Sequence, residues 1–346
     1  MRCILFWGAI ADRKGRKPMV EKVLLMFGLI MIIMGYASNV YQLLILRMLQ
    51  GFCGGFVAAS TALAVSMSPN EKIPFTVGML QTALIVGGAV GPMLGGMIAD
   101  SFSYRAPFLV FGGLCILALV VSHFAVKETF KPITSREKPS LKTVFHYIWS
   151  LGDLKLMLLV QFLAQFAIQS IGPILPIYIL SMVPNHENLA SISGTIIAIG
   201  GITSAIASAS MGLLSKYFSH KRILIVAAFL GGISFVGQIV AHDIMTLSIL
   251  RAMNGLCVGA MIPSSNTIIA YLIPEDKRGA AFGITSGASL MGNVFGPISA
   301  GVMSMVLGMT AIFWITAGLF LLVAVLLFFQ IRGNYVTCQK QTGATI

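Results

Sequence analysis

Residues 47–55 read Arg-Met-Leu-Gln-Gly-Phe-Cys-Gly-Gly, and residues 251–259 read Arg-Ala-Met-Asn-Gly-Leu-Cys-Val-Gly. Both place an arginine four residues before a glycine and a cysteine two residues after it, inside long apolar runs. The copies lie 204 positions apart, and the same shift pairs Gly8 with Gly212. Beyond one inserted residue the shift becomes 205, pairing Gly78 with Gly283, Gly91-Pro92 with Gly296-Pro297, and Ala106 with Ala311. A phase kept through four consecutive apolar segments marks an internal structural repeat.

The surroundings of these stretches set the solvent. Of 346 residues, 57% are hydrophobic and only 10% charged, and mean hydropathy is +0.91. That leaves too little polar surface to cover soluble domains, so the solvent is lipid. A hydrocarbon core about 30 Å thick takes roughly 20 apolar residues per helix. Runs of that length recur at 18–37, 41–67, 75–99, 104–126, 154–181, 189–214, 222–241, 244–273, 279–304 and 309–331, which predicts ten complete spans. Residues 4–11 form an apolar stub of about half the necessary length. The repeat places its two missing counterparts before residue 11, so the first helix and most of the second are expected to be absent.

The formal net charge of +12 raises the question of nucleic acid, but its distribution answers otherwise. All but four of the 23 Lys and Arg fall on one side of the predicted spans. The exceptions are Arg105 on the opposite side, Arg47 and Arg251 inside spans, and Arg2 near the start. Short cytoplasmic loops of membrane proteins collect such cations. The expectation is a multi-pass protein of the cell membrane with a cytoplasmic C-terminus and no nucleic-acid partner. Both copies of the repeat then run in the same direction, as in transporters whose halves are related by an axis along the membrane normal.

Chemistry-bearing clusters are sparse. Cys3, Cys53, Cys115, Cys257 and Cys338 show no paired spacing, which speaks against a disulfide framework or a metal site. The histidines lie near span ends or in loops, and no nucleophile, base and orienting group are grouped. No enzyme activity, cofactor or metal is expected.

Three motifs remain. The loop at 8–18, Gly-Ala-Ile-Ala-Asp-Arg-Lys-Gly-Arg-Lys-Pro, places Gly8 for close helix contact, Asp12 at a helix end, Gly15 for a tight turn, and Arg13 and Arg16 among the cations. Arg47 lies about two turns inside its span, where a charge costs at least ~2.5 kcal/mol and calls for a cavity or a partner; Gln50 and Gly51 follow. Residues 87–96 run Gly-Gly-Ala-Val-Gly-Pro-Met-Leu-Gly-Gly, in which Gly87, Gly91, Gly95 and Gly96 permit close packing and Pro92 opens the backbone ladder.

On these residues the chain resembles the major facilitator superfamily, and within it the 12-helix drug:proton antiporters. The first motif is similar to the signature between helices two and three, the second to the fourth-helix motif associated with proton coupling, and the third to the fifth-helix string of antiporters. The resemblance implies an all-α fold of two parallel-repeat bundles, the first truncated, that rock about a central site. It also implies that Asp12 docks near the start of the penultimate helix when the cytoplasmic side is closed.

Polar side chains inside spans are the candidates for a substrate cavity, because lipid-facing ones lack hydrogen-bond partners. They are Gln81, Gln161, Gln165, Gln169, Arg251, Asn254 and Asn293; helix-to-helix hydrogen bonding is the competing role. No Asp or Glu stands near the middle of a complete span, so a proton carrier is expected near a membrane face or outside these residues.

The domain reading is an N-terminal bundle over 1–126, a cytoplasmic linker over 127–153 with an amphipathic stretch at 144–149, a six-helix bundle over 154–332, and a cytoplasmic tail over 333–346. The expected function is proton-coupled efflux of small amphiphilic molecules by a monomer in the lipid bilayer. An exporter of one metabolite or sugar, and an inactive fragment, are the alternatives.

Overall fold

A computed structural model describes residues 16–52, 56–69, 72–126, 152–182, 188–273 and 275–330. Every regular element among them is an α-helix. In chain order they are α1 (Arg16–Gly35), α2 (Val40–Phe52), α3 (Phe56–Met67), α4 (Ile73–Ser101), α5 (Ala106–Ala125), α6 (Gly152–Ile171), α7 (Leu175–Met182), α8 (Leu189–Tyr217), α9 (His220–Ile239), α10 (Ile244–Leu272), α11 (Glu275–Val306) and α12 (Ala311–Gln330). In lipid a helix satisfies its backbone groups internally, which is why apolar runs of this length take that form.

Nine of these helices are long and apolar enough to cross a membrane. The tenth expected span, 41–67, contains α2 and α3, of 13 and 12 residues, and residues 53–55 between them lie outside the described residues. The expected span at 154–181 is divided, at residues 172–174 between α6 and α7. Gly172 and Pro173 sit at that break, and the residue before a proline is driven away from helical geometry. The penultimate helix starts at Glu275, four residues earlier than its apolar run.

The chain divides into two compact units, Met1–Gly87 with Leu94–Arg136, and Gly88–Met93 with Glu137–Ile346. In the first, α1 packs along α5 and also meets α2 and α3. Its closest approach is at Gly28, where an added Cβ would stand 3.2 Å from the carbonyl oxygen of Gly112 and 2.7 Å from Ile116. One end of the pair is tied by polar contacts: Glu21 lies 3.6 Å from Lys17 and 3.3 Å from His123 Nδ1, and Lys17 Nζ donates to the His123 carbonyl at 2.8 Å. Buried side chains form two small clusters, Val20, Leu24 and Leu63, and Ile30 with Met34.

The second unit is built around a single large core. Here α6 packs on α11, α8 on α10, and α9 on both α10 and α12. Phe235 and Phe320 meet edge to face at 5.5 Å, and the Tyr178 ring lies 5.1 Å from Phe313. The α1–α5 contact recurs as α9 on α12: Gly232, equivalent to Gly28, would place a Cβ 3.3 Å from the carbonyl oxygen of Ala317. The cap recurs too. Asn39 Oδ1 accepts from the Gln42 N–H at 2.8 Å at the start of α2, and Asp243 Oδ2 accepts from the Thr246 N–H at 2.7 Å at the start of α10.

Candidate functional site

Without a hydrophobic force between helices, close approach in lipid needs small residues and interhelical hydrogen bonds. Both occur where α6, α10 and α11 meet. Gly292 and Gly296 of α11 press on the backbone of α6; a Cβ at Gly296 would lie 3.0 Å from both the Phe166 oxygen and the Ser170 nitrogen. That proximity lets Gln161 reach two neighbours. Its Nε2 donates to Asn266 Oδ1 at 2.7 Å, and its Oε1 accepts from Ser289 at 3.2 Å. Gln161 is buried, Gln165 half-buried and Gln169 exposed, so the expected stripe runs from the packed interior to the unit's surface. Asn293 is half-buried beside Gly292. Gln161 therefore bridges three helices.

Asn266 and Ser289 were missed in the sequence reading although the same criterion, a polar side chain within an apolar run, selects them. Their importance comes from facing Gln161, which spacing along one helix does not reveal.

Arg251 and Asn254 present a different picture. They lie on one face of α10 at three-residue spacing and are 8% and 5% exposed. Among the described residues neither side chain takes part in a hydrogen bond or ion pair, and Arg251 Nε and Asn254 Nδ2 are buried without a partner. The next turn of α10 is pressed against α8: a Cβ at Gly255 would collide with Thr203 Oγ1 and the Gly200 carbonyl, and one at Gly259 with Ser204. A hollow of about 300 Å³, lined by Phe218, Arg222, Val226, Leu230, Leu256 and Ala260 among others, has an almost wholly apolar surface and none of the polar candidates in its lining.

In the first unit, Arg47 donates through Nη1 to Gln50 Oε1 at 2.9 Å, and Gln50 Nε2 reaches Met31 Sδ at 3.5 Å. The pair thus joins α2 to α1. Gln50 is buried, whereas Arg47 and Gly51 are exposed. Gly87 and Gly91 of α4 have no neighbour for an added Cβ among the described residues, and Gly95 meets only the Phe111 ring at 3.7 Å. Gly96 is buried and Pro92 lies inside the helix. The close approach in this stretch is made instead by the glycines of α8 within the second unit. Gly194 lies against the Pro92 carbonyl, and a Cβ at Gly201 would be 3.1 Å from Ala89.

Gly8, Asp12, Arg13 and Gly15 lie outside the described residues, as does the amphipathic stretch at 144–149; Arg16 opens α1, and its side chain and that of Gln81 are likewise not described. Among the described residues no group of His, Cys, Asp or Glu is arranged to hold a metal ion.

The family model described as Major Facilitator Superfamily matches residues 3–183 and again 157–343. Among curated proteins the chain is 34% identical over 323 residues to "Multidrug resistance protein MdtG" of Escherichia coli O1:K1 / APEC, covering 92% of this chain and 78% of that protein. The proteins of the same name from Escherichia coli O139:H28 and from strain K12 / DH10B match to the same extent.

Proposed function

The chain belongs to the major facilitator superfamily of membrane transporters, and on that premise we propose that it is a proton-coupled exporter of amphiphilic drugs working by alternating access. The observation that carries this reading is the likeness to the multidrug resistance protein MdtG along 92% of the chain. The antiporter string Gly87, Gly91, Pro92, Gly95 and Gly96 supports export over import. In this reading Arg47, Gln50 and Gly51 couple proton movement, and the loop bearing Gly8, Asp12, Arg13, Gly15 and Arg16 gates the cytoplasmic side. Gln81, Gln161, Gln165, Gln169, Arg251, Asn254 and Asn293 contribute to the cavity.

The lysine and arginine bias supports a cytoplasmic C-terminus. The proposal takes the domains as bundles over 1–126 and 154–332, joined by a cytoplasmic linker over 127–153 and followed by the tail 333–346, in a monomer. The experiment is dye release from proteoliposomes loaded with ethidium, rhodamine or an acridine and subjected to an imposed pH gradient. Release of several unrelated dyes, abolished by an uncoupler, is the expected result. Absence of release for every dye overturns the multidrug reading. Asp12→Asn abolishes release while leaving membrane insertion intact; wild-type release by that variant removes the gating role.

A further inference from the structure

A guanidinium has five N–H donors and no acceptor, and it stays charged in a protein. In α10 that group is almost wholly withdrawn from solvent at Arg251, with Asn254 three residues on along the same face and no partner for either among the described residues. The acidic side chains described in this unit are Asp153 in the first turn of α6 and Asp243 at the cap of α10. Neither pairs with Arg251. Asp243 is eight residues away, roughly 12 Å along the helix axis, and its carboxylate is engaged with Thr246. A buried, unmatched cation with a donor amide at its side is the complement of an oxyanion, which takes two parallel hydrogen bonds from an arginine fork.

We propose that Arg251 and Asn254 form an oxyanion subsite in the C-terminal unit, one that receives the carboxylate or sulfonate of an amphiphilic substrate. The proposal rests on the export reading and narrows it: substrates with an acidic head on an apolar body are held here, zwitterions among them. Arg251 supplies the charge and the fork, and Asn254 supplies one further donor. The small residues that seat α8 on the next turn of α10, at Gly255 and Gly259, hold this face of the helix in place.

The test is binding to the purified protein in phosphatidylcholine nanodiscs, using dansyl-labelled undecanoic acid, its neutral primary amide and its trimethylammonium counterpart. Wild type binds the acid at least about tenfold more tightly than the amide, since a charged hydrogen-bonded pair replaces a neutral contact. Arg251→Gln removes that preference, Arg251→Lys keeps part of it, and Asn254→Ala lowers it a few-fold; the ammonium probe binds all four alike. Equal affinity of wild type for acid and amide overturns the proposal, a result that does not depend on any variant folding. So does an equal loss for all three probes in Arg251→Gln, which marks a helix-packing residue. Phosphatidylglycerol in the nanodisc separates a soluble amphiphile from a lipid headgroup. Undiminished acid binding supports the substrate assignment, and displacement by the lipid overturns it. Failure of dye release in proteoliposomes tells instead against the export reading, because the titration measures binding alone.

Discussion

Around α2 and around α10 the same residues occur at the same intervals. Asn39 and Asp243 cap the two helices, Arg47 and Arg251 stand about two turns in, and Gly51 and Gly255 follow four residues later. Their surroundings differ. Gly255 is pressed against the backbone of α8 and Arg251 is buried, whereas Gly51 and Arg47 are exposed. The difference teaches that covering this face rests on the partner helix: Gly255 meets Gly200 and Thr203 of α8, for which the offset of 204 gives no counterpart among the described residues. By contrast, the pair formed by α1 and α5 is repeated faithfully by α9 and α12, since both partners carry small residues at Gly28 with Gly112 and at Gly232 with Ala317.

The sharpest way to break this comparison is to fill the two glycines. Gly255→Ala drives a methyl group into Thr203 and the Gly200 carbonyl, and overpacking of that kind costs about 3 kcal/mol. The expected result is a marked fall in melting temperature of the purified protein. Gly51→Ala meets no such neighbour and removes a helix-interior glycine, so it stabilises by about 0.5–1 kcal/mol. A comparable loss in both variants would show that the two faces are equally covered.

Next in size is Gln161→Leu, which leaves Asn266 and Ser289 without their partner. Unsatisfied buried groups cost about 1–3 kcal/mol. Gln169→Leu, at an exposed position, stays within about 0.5 kcal/mol. A double-mutant cycle of Gln161 with Asn266 measures the coupling, and additive effects would dissolve the bridge. In the first unit, Gln50→Ala frees Arg47 and detaches the reach to Met31, for a loss of about 1 kcal/mol. Thermal unfolding of the two variants side by side ranks the bridges, and a larger loss for Gln50→Ala would reverse the comparison.

The smallest effect separates the caps. Hydrogen bonds from the Thr246 backbone N–H and hydroxyl hold the Asp243 carboxyl below its usual range. A group with a depressed folded value contributes stability that is fully present above its unfolded value, about 3.9. That contribution is lost as pH falls through the folded value. The equivalent Asn39 does not titrate. A pH scan of melting temperature from neutral to acid should therefore show a component that Asp243→Asn removes and that Asn39→Ser leaves in place. An unchanged scan in Asp243→Asn would assign the acid sensitivity to other carboxylates.

Much of the fold was legible in the chain. The apolar runs, the offset of 204 between Arg47 and Arg251, and the one-sided placement of lysine and arginine give the helices, the repeat and the expected orientation. These are local properties, set by bilayer thickness and by charge next to each span, so a window moved along the sequence recovers them. The break at Gly172-Pro173 was written in the sequence as well, although the continuous hydropathy concealed it. The partnership of Gln161 with Asn266 and Ser289, the seating of Gly255 on α8, and the lack of a partner for Arg251 and Asn254 among the described residues came only from the tertiary structure. Each depends on the rotation of a helix about its own axis and on what a distant segment places opposite it. Hydropathy and spacing within one helix carry neither quantity.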